Sequence, residues 1–228
     1  MIYSERQIES IRAACRLVGE CHALIADAVR PGVTTLELDG LCETHIRAAG
    51  AEPAFKGYSM GGKPPFSGTI CASPDNMIVH GEPNSEPLKE GTVLAVDIGA
   101  KLDGWYGDAA WTYPIGAVGA ENERLMRVGE ECLRAGIAAV RPGAYVADIG
   151  RAIESVFQPA GFSTVRMYVG HGVGRKLHEE PQIPHYVTPR FDKSHRVILR
   201  PGMVFAIEPM TNAGGWETSD RRGQWPVY

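Results

Sequence analysis

The sequence predicts an α+β fold in which one αβ unit occurs twice, related by pseudo-twofold symmetry. A shift of 111 residues aligns RPGVTTLELDGLCETHIRAAG, which begins at Arg30, with RPGAYVADIGRAIESVFQPAG, which begins at Arg141. The same shift places Asp97 of LKEGTVLAVDIG on Glu208 of LRPGMVFAIEPM without a gap. Such repetition indicates duplicated structural units. We therefore expect one domain over residues 1–228, with a curved antiparallel sheet and helices on its outer face.

Each copy begins with two segments that have helical patterns. Apolar residues recur at helical spacing from Ile8 to Ile25, which favours a helix packed on a sheet. Thr34 and Glu37 have the spacing of a capping box at the start of the second helix. Gly50 and its repeat partner Gly161 are plausible ends for that helix in each copy. The first copy is expected to cover about residues 1–115 and the second about 116–228.

A β-hairpin is predicted in the segment TVLAVDIGAKLDGWYGDAAWTYPIG. Two runs of β-branched and aromatic residues flank LDG, and a Gly after Asp is typical of a tight hairpin turn. Asp97 and Asp108 then lie on neighbouring antiparallel strands. Equivalent acids from the two copies, Asp97 and Glu208, are expected to converge on one central cleft.

Charge and composition exclude several classes of function. The 23 Lys and Arg residues against 27 Asp and Glu residues give a net charge of −4 without a basic stripe, so nucleic acid is not expected as the main ligand. Glu5, Arg6 and Glu9 lie where a signal peptide would have its apolar stretch, so no signal peptide is expected. No later apolar run is long enough to cross a bilayer. We expect a cytoplasmic protein with no membrane partner. The five cysteines, none in a CxxC pair, are expected to be reduced.

The acids in two apolar segments suggest a cation site. VLAVDIG and MVFAIEPM are both predicted to be apolar strands, with Asp97 in the first and Glu208 in the second. Burying a carboxylate in such a strand is unfavourable unless it is paired or binds a cation. One such acid would be interpreted as a buried, hydrogen-bonded side chain. Because the acid recurs at equivalent positions of the repeat, metal binding is the better interpretation.

Two histidines lie between these acids in GHGVGRKLHEEPQIPHY, at His171 and His178. The glycines around them permit close approach of backbone and ligand, although a lone histidine here would more often be a surface residue and this spacing is not a zinc signature. Carboxylates and imidazoles without clustered thiolates suit Mn, Fe or Co better than a structural Zn. Several acids in one cleft often hold two ions that promote hydrolysis.

The segments IVHGEP, VDIGAKLDGWYGDAAWTYPIG, GHGVGRKLHEEPQIPHY and PGMVFAIEPM, in this order, resemble the methionine aminopeptidases over nearly the whole chain. The resemblance implies the pita-bread fold and removal of the initiator methionine from nascent proteins and peptides with a small second residue. Only 29 residues separate His178 from Glu208, which fits the short bacterial type 1. Two divalent ions (Mn, Fe or Co, with Zn possible), a peptide or nascent chain and the ribosome are the implied cofactors and partners.

The resemblance also assigns roles to individual residues. Four of the family's five metal ligands are matched by Asp97, Asp108, His171 and Glu208. In the implied mechanism water attacks the scissile carbonyl, Glu208 transfers the proton, and His178 helps to stabilise the oxyanion. His80 matches a second catalytic histidine that contacts the backbone amide of the substrate.

A methionine pocket is implied as well, since a thioether suits a soft, aromatic-lined site. It would be lined by Tyr58, Phe66, Cys71 and Trp225, with His80 at its edge. Ordinary core packing is the alternative for Tyr58 and Phe66. The chain departs from the family pattern where SMGGKPP separates Tyr58 from Phe66, and where Leu177 replaces an aromatic residue before His178.

The fifth metal ligand of the family is a glutamate on a strand that would follow Trp225 and fall beyond Tyr228. For the 228 residues alone we therefore expect at most one well-occupied metal ion and low activity. Asp220 or Glu217 could replace this ligand, but GGWETSDRRGQW is more typical of an exposed turn.

Two other functions remain open from the sequence. One is a different pita-bread aminopeptidase, such as a proline-specific enzyme, although no additional N-terminal domain of that class is recognised. The other is a non-catalytic pita-bread protein that binds a partner such as the ribosome. The presence of four metal ligands and both histidines argues against the second alternative.

Overall fold

The computed structural model describes residues 1–187 and 196–228. The chain forms two compact units: the N-unit, Glu9–Ala120 with Ser219–Tyr228, and the C-unit, Met1–Ile8 with Glu121–Thr218. The single domain expected from the sequence stays a prediction. Within the described ranges, no helix is both long enough and apolar enough to span a bilayer.

The N-unit carries two helices and four strands. They are α1 (Glu5–Ala28, which begins in the C-unit), α2 (Thr35–Ala48), β1 (Glu52–Pro53), β2 (Ile70–Pro74), β3 (Val93–Leu102) and β4 (Trp105–Pro114). All strand pairs are antiparallel, and the long central strand β3 pairs with β1 and β2 along one side and with β4 along the other.

The predicted hairpin is formed by β3 and β4. Asp103 and Gly104 make the turn with φ angles of 51° and 77°, as a two-residue hairpin turn requires. In the register Asp97 lies opposite Ala110, and Gly99 lies opposite Asp108. Because residues opposite each other and residues two apart share a face, the side chains of Asp97 and Asp108 lie on the same face of the sheet.

The other face of this sheet is covered by the two helices. Val96 and Ile98 of β3 are fully buried and belong to a core cluster that includes residues of α1 and α2. The sheet approaches α1 closely at Gly107, because a Cβ there would lie 2.5 Å from the backbone of Ala14. Burial of one face by helices leaves the face with Asp97 for a functional site.

The C-unit has the same order of helices before strands. It contains α3 (Ala120–Ala139, which begins at the last residue of the N-unit segment), α4 (Val146–Phe157), β5 (Ser163–Thr164), β6 (Gly170–Gly172), β7 (Glu179–Ile183) and β8 (Thr211–Asn212). Antiparallel pairs form between β5 and β8 and between β6 and β7. A separate apolar cluster, centred on α3 and α4, forms the core of this unit.

Local geometry confirms the repeat. α4 begins 111 residues after α2. Gly50 and Gly161 both have left-handed backbones, with φ of 73° and 74°. The amides that follow them, those of Ala51 and Phe162, both donate to a carbonyl five residues earlier, at 3.1 and 3.0 Å. The predicted capping box is also present, since the amide of Glu37 donates to Thr34 Oγ1 at 3.1 Å.

The strand prediction for MVFAIEPM, residues 203–210, is wrong, because the segment does not form a regular strand. Its contacts include a single bridge between Phe205 and Gly172 and a hydrogen bond from the amide of Ala206 to the carbonyl of His171. The amide of Glu208 donates to a side chain, His185, and not to a neighbouring strand. Pro209 has no amide hydrogen, so the ladder cannot continue there.

Candidate metal centre and substrate pocket

Two carboxylates and a thiol share the face of the N-unit sheet that is opposite to α1 and α2. Asp97 lies opposite Cys71 of β2 on one side, and Asp108 is its diagonal neighbour on β4. Diagonal neighbours on one sheet face are typically about 7–8 Å apart, which allows long side chains to interact. Burial raises the pKa of the Cys71 thiol well above its usual range, and the charges of Asp97 and Asp108 raise it further. Cys71 is therefore a neutral neighbour of the two acids.

His80 is held in an unusual backbone conformation beside β2. Its φ of 62° lies in the left-handed region, which stores about 1–3 kcal/mol in a non-glycine residue. The next residue, Gly81, approaches β2 so closely that a Cβ would lie 2.1 Å from the carbonyl oxygen of Ala72. Such strain is concentrated at functional sites, and the left-handed backbone sets the direction in which the Cα–Cβ bond of His80 leaves the chain.

Three of the predicted pocket residues gather around a fourth, Trp225. The ring of Phe66 lies edge-on at 5.4 Å between centroids, that of Tyr58 at 6.3 Å, and that of His80 at 6.1 Å. Phe66 and Trp225 are almost fully buried, whereas Tyr58 keeps part of its surface exposed. Cys71 lies beside Asp97 on the sheet.

The inserted segment 59–65 forms a closed loop on this aromatic group. The amide of Phe66 donates to the carbonyl of Tyr58 at 2.8 Å, so the two ends of the insertion are held together. The indole N–H of Trp225 donates to the carbonyl of Pro64, also at 2.8 Å. Residues 59–65 therefore pack against Trp225, while Tyr58 and Phe66 at their two ends stay close together.

In the C-unit, His171 is oriented by its own strand toward Glu208. The Nδ1 atom lies 2.9 Å from the carbonyl of Gly172, and a carbonyl can only accept, so Nδ1 carries the proton. Nε2 then presents its lone pair to Glu208 Oε1 at 3.2 Å. Two electron-pair donors at this distance need a cation between them, either a proton or a metal ion. Metal-binding histidines typically donate their other N–H to a carbonyl in this way.

His178 lies next to His171. Their ring centroids are 4.3 Å apart at 65°, and His178 immediately precedes β7. The preceding residue, Leu177, is buried. The leucine therefore packs in the interior at the position where the family pattern has an aromatic residue.

Sequence reasoning missed two groups that support these histidines and Glu208. The carboxylate of Glu179 accepts from the Tyr3 hydroxyl at 2.6 and 2.8 Å, and from the amides of Arg175 and Lys176. It thus stabilises the turn that ends at His178. Burial raises the pKa of Tyr3, and the adjacent Glu179 adds to this shift. Glu179 follows this turn and accepts from its amides, and such a contact leaves no periodic pattern in the sequence.

His185 is the second group. It is fully buried, and its Nε2 atom accepts the backbone N–H of Glu208 at 3.1 Å. Its only signal in the sequence is its place in IPHY, directly after an apolar strand, where a histidine would ordinarily be assigned to the surface.

The two alternative acids for the fifth ligand, Glu217 and Asp220, are both exposed. The backbone of Asp220 forms a bridge with Val227. Their surroundings are those of the exposed turn expected from the sequence.

The repeated αβ fold and the imidazole opposed to a carboxylate fit the class of metal-dependent hydrolases. The model of metallopeptidase family M24 matches residues 9–223. Methionine aminopeptidase 1 of Bacillus subtilis (strain 168) is 44% identical over 222 residues, 97% of this chain and 86% of that protein. The chain belongs to family M24, among its methionine aminopeptidases, and it is a metallo-exopeptidase with the pita-bread fold.

Solved structures agree with this assignment. The methionine aminopeptidase of Rickettsia prowazekii has a TM-score of 0.92 and 38% identity, covering 100% of this chain and 88% of its own. The prolidase of Pyrococcus furiosus has a TM-score of 0.77 and 22% identity, covering 91% of this chain and 57% of its own. The second likeness shows a shared fold alone, so the proline-specific alternative is not favoured.

Proposed function

We propose that the protein removes the initiator methionine from nascent proteins and peptides whose second residue is small, in the cytoplasm and next to the ribosome. The observation that carries the proposal is the pair of His171 Nε2 and Glu208 Oε1 at 3.2 Å, with the proton of the imidazole fixed on the far nitrogen. A peptide as substrate follows from membership of the family.

For the metal centre we propose Asp97, Asp108, His171 and Glu208 as ligands of divalent ions. Membership of family M24 supports a divalent metal, and carboxylate and imidazole ligands suit Mn, Fe or Co, with Zn as a further option. When bound, such ions polarise the scissile carbonyl and lower the pKa of water.

The side chains then have separate tasks. Glu208 accepts the proton of the attacking water on Oε2, since Oε1 is directed at His171, and passes it to the leaving amine. His178 donates a hydrogen bond to the developing oxyanion, where a donor contributes most to the rate. His80, fixed by its left-handed backbone, contacts the backbone amide of the substrate.

The methionine side chain is proposed to lie among Tyr58, Phe66, Cys71 and Trp225, with His80 at the edge. The three rings around Trp225 give the soft, apolar surroundings that favour a thioether, and sulfur–aromatic contacts contribute about 0.3–1.5 kcal/mol each.

The test uses the peptide Met-Ala-Ser with the metal-stripped protein. Release of methionine is expected after addition of Mn²⁺ or Co²⁺, is expected to stop with a chelator, and should exceed cleavage of an X-Pro peptide. H171Q should bind Mn²⁺ at least about tenfold more weakly. H45Q is the matched control, because His45 is a surface histidine paired with Glu20. Absence of methionine release with every divalent ion would refute the proposal.

The place of action can be tested separately. If nascent chains are the substrate, the protein should sediment with translating ribosomes and remove methionine before the chains are released. Processing of released peptides alone, without sedimentation, would restrict the function to free peptides.

A further inference from the structure

We propose that His185 is a positioning residue that fixes the backbone of Glu208 and thereby directs its carboxylate at His171. The geometry is a hydrogen bond of 3.1 Å from the Glu208 amide to His185 Nε2. The inference rests on the proposed role of Glu208 as a metal ligand.

His185 is placed to accept this bond. The side chain is fully buried, and its Nε2 atom lies 3.1 Å from the backbone nitrogen of Glu208, which can only donate. Since Nε2 accepts, the proton lies on Nδ1.

The backbone that carries His185 is itself held in place. A Cβ at Gly150 of α4 would lie 2.8 Å from the carbonyl oxygen of Tyr186 and 2.9 Å from that of Pro184. Helix α4 therefore packs directly on both neighbours of His185, an approach that only glycine permits. This packing leaves the imidazole little freedom to move away from Glu208.

The same scaffold holds His171. Strand β7, which ends two residues before His185, pairs His171 with Gln182, and the carbonyl of His171 accepts the amide of Ala206. His185, two residues after β7, thus links that strand to the backbone of Glu208. The distance between His171 Nε2 and Glu208 Oε1 depends on this link.

The Glu208 amide donates to this side chain and not to a carbonyl of a neighbouring strand. The next residue, Pro209, has no amide hydrogen, so it cannot donate a further backbone bond that would hold Glu208 in place. A buried amide without a partner is strongly unfavourable, and the chain would turn to find another acceptor. Loss of the imidazole nitrogen would therefore rotate the Glu208 carboxylate, even though no metal ligand has been changed.

The test compares two substitutions of similar size. H185Q places an oxygen at the position of Nε2 and keeps an acceptor, whereas H185L fills the space without one. Amide hydrogen exchange at Glu208 is followed by NMR in the metal-free protein, with the Ala206 amide as internal reference. Mn²⁺ affinity is measured by calorimetry.

We expect H185L to lose protection at Glu208 but not at Ala206, and to bind Mn²⁺ about tenfold more weakly. H185Q should keep both the protection of the Glu208 amide and the Mn²⁺ affinity of the unsubstituted protein. If H185L does not fold, H185N serves instead, because its shorter amide does not reach the position of Nε2.

Two results would overturn the inference: unchanged protection at Glu208 without the acceptor, or equal Mn²⁺ affinities for the Gln and Leu variants. If the unsubstituted protein neither binds Mn²⁺ nor releases methionine, the proposed function fails. The exchange comparison still decides whether His185 fixes the backbone of Glu208, so the two failures can be told apart.

Discussion

The turn that precedes His178 depends on one carboxylate that receives several donors. Glu179 accepts from the hydroxyl of Tyr3 and from two successive backbone amides. Charge-assisted bonds of this kind are stronger than neutral ones, so the turn is stiff although it contains little regular structure. Gly174 belongs to the same contact, since a Cβ there would lie 2.2 Å from the Tyr3 hydroxyl oxygen and 2.4–2.6 Å from two atoms of its ring.

Removal of the Tyr3 hydroxyl should therefore affect catalysis. In Y3F the carboxylate of Glu179 loses one donor, and His178 is held less firmly at the position proposed for the oxyanion. We expect kcat for Met-Ala-Ser to fall about tenfold, with a change in KM of less than about twofold, since the contact forms in the transition state. Y145F, at an exposed tyrosine, is the control. A change confined to KM would contradict the proposed role of His178.

At the scale of the elements, residues 59–65 are one of the two places where we expect this chain to depart from the family pattern. Lys63 lies 5.2 Å from the centroid of the Trp225 ring, and Pro64 accepts the indole N–H. Both contacts place the loop against a proposed pocket residue. The loop can therefore influence substrate binding through Trp225.

W225F tests this influence, because phenylalanine keeps an aromatic ring but cannot donate to Pro64. A hydrogen bond contributes about 0.5–1.5 kcal/mol net, so KM for Met-Ala-Ser should rise about two- to tenfold. kcat should change less. W111F, at a half-exposed tryptophan of β4, controls for the loss of an indole elsewhere. An unchanged KM would mean that the loop does not shape the pocket.

The start of α4 gives a prediction for stability and pH. The backbone N–H of Tyr145 donates to Asp148 at 2.7 Å, which lowers the pKa of Asp148, and Arg151 lowers it further. A depressed carboxyl pKa contributes stability above the unfolded pKa of about 3.9, and this contribution is lost as pH falls through the folded value.

D148N should consequently be less stable than the unsubstituted protein at pH 7, by about 0.5 kcal/mol after allowance for solvent screening. The difference should shrink as pH falls below about 4. Urea unfolding at both pH values measures it. The control is D103N, in the exposed hairpin turn, where Asn also tolerates a left-handed backbone. A difference that is independent of pH would exclude the electrostatic contribution.

Elements with strong local signals were predictable from the sequence. The β3–β4 hairpin follows from two alternating runs around Asp103 and Gly104, and the α2 capping box from the spacing of Thr34 and Glu37. The conformation of residues 203–210 was less predictable, because the amide of Glu208 is bound by a side chain, His185, that is remote in sequence. No periodicity reports such a long-range acceptor.

On the scale of the whole molecule, each unit has its own apolar core, yet the chain passes between the units more than once. Met1–Ile8 belongs to the C-unit, whereas Ser219–Tyr228 belongs to the N-unit. Helix α1 is continuous across the first division, since it runs from Glu5 to Ala28. Neither unit is therefore a continuous stretch of chain that could be excised without cutting an element.

We accordingly expect the two units to unfold in one cooperative transition, as the single domain predicted from the sequence requires. I98V in the N-unit and I153V in the C-unit each remove one methyl group from a fully buried side chain, which destabilises by about 0.5–1.5 kcal/mol. Each should lower the Tm of the whole transition by about 1–6 °C, with equal calorimetric and van't Hoff enthalpies. I137V, at an exposed position of α3, should leave Tm unchanged. Two resolved transitions, each shifted by only one of the core variants, would show two domains, because a perturbation in one core would then leave the other unaffected.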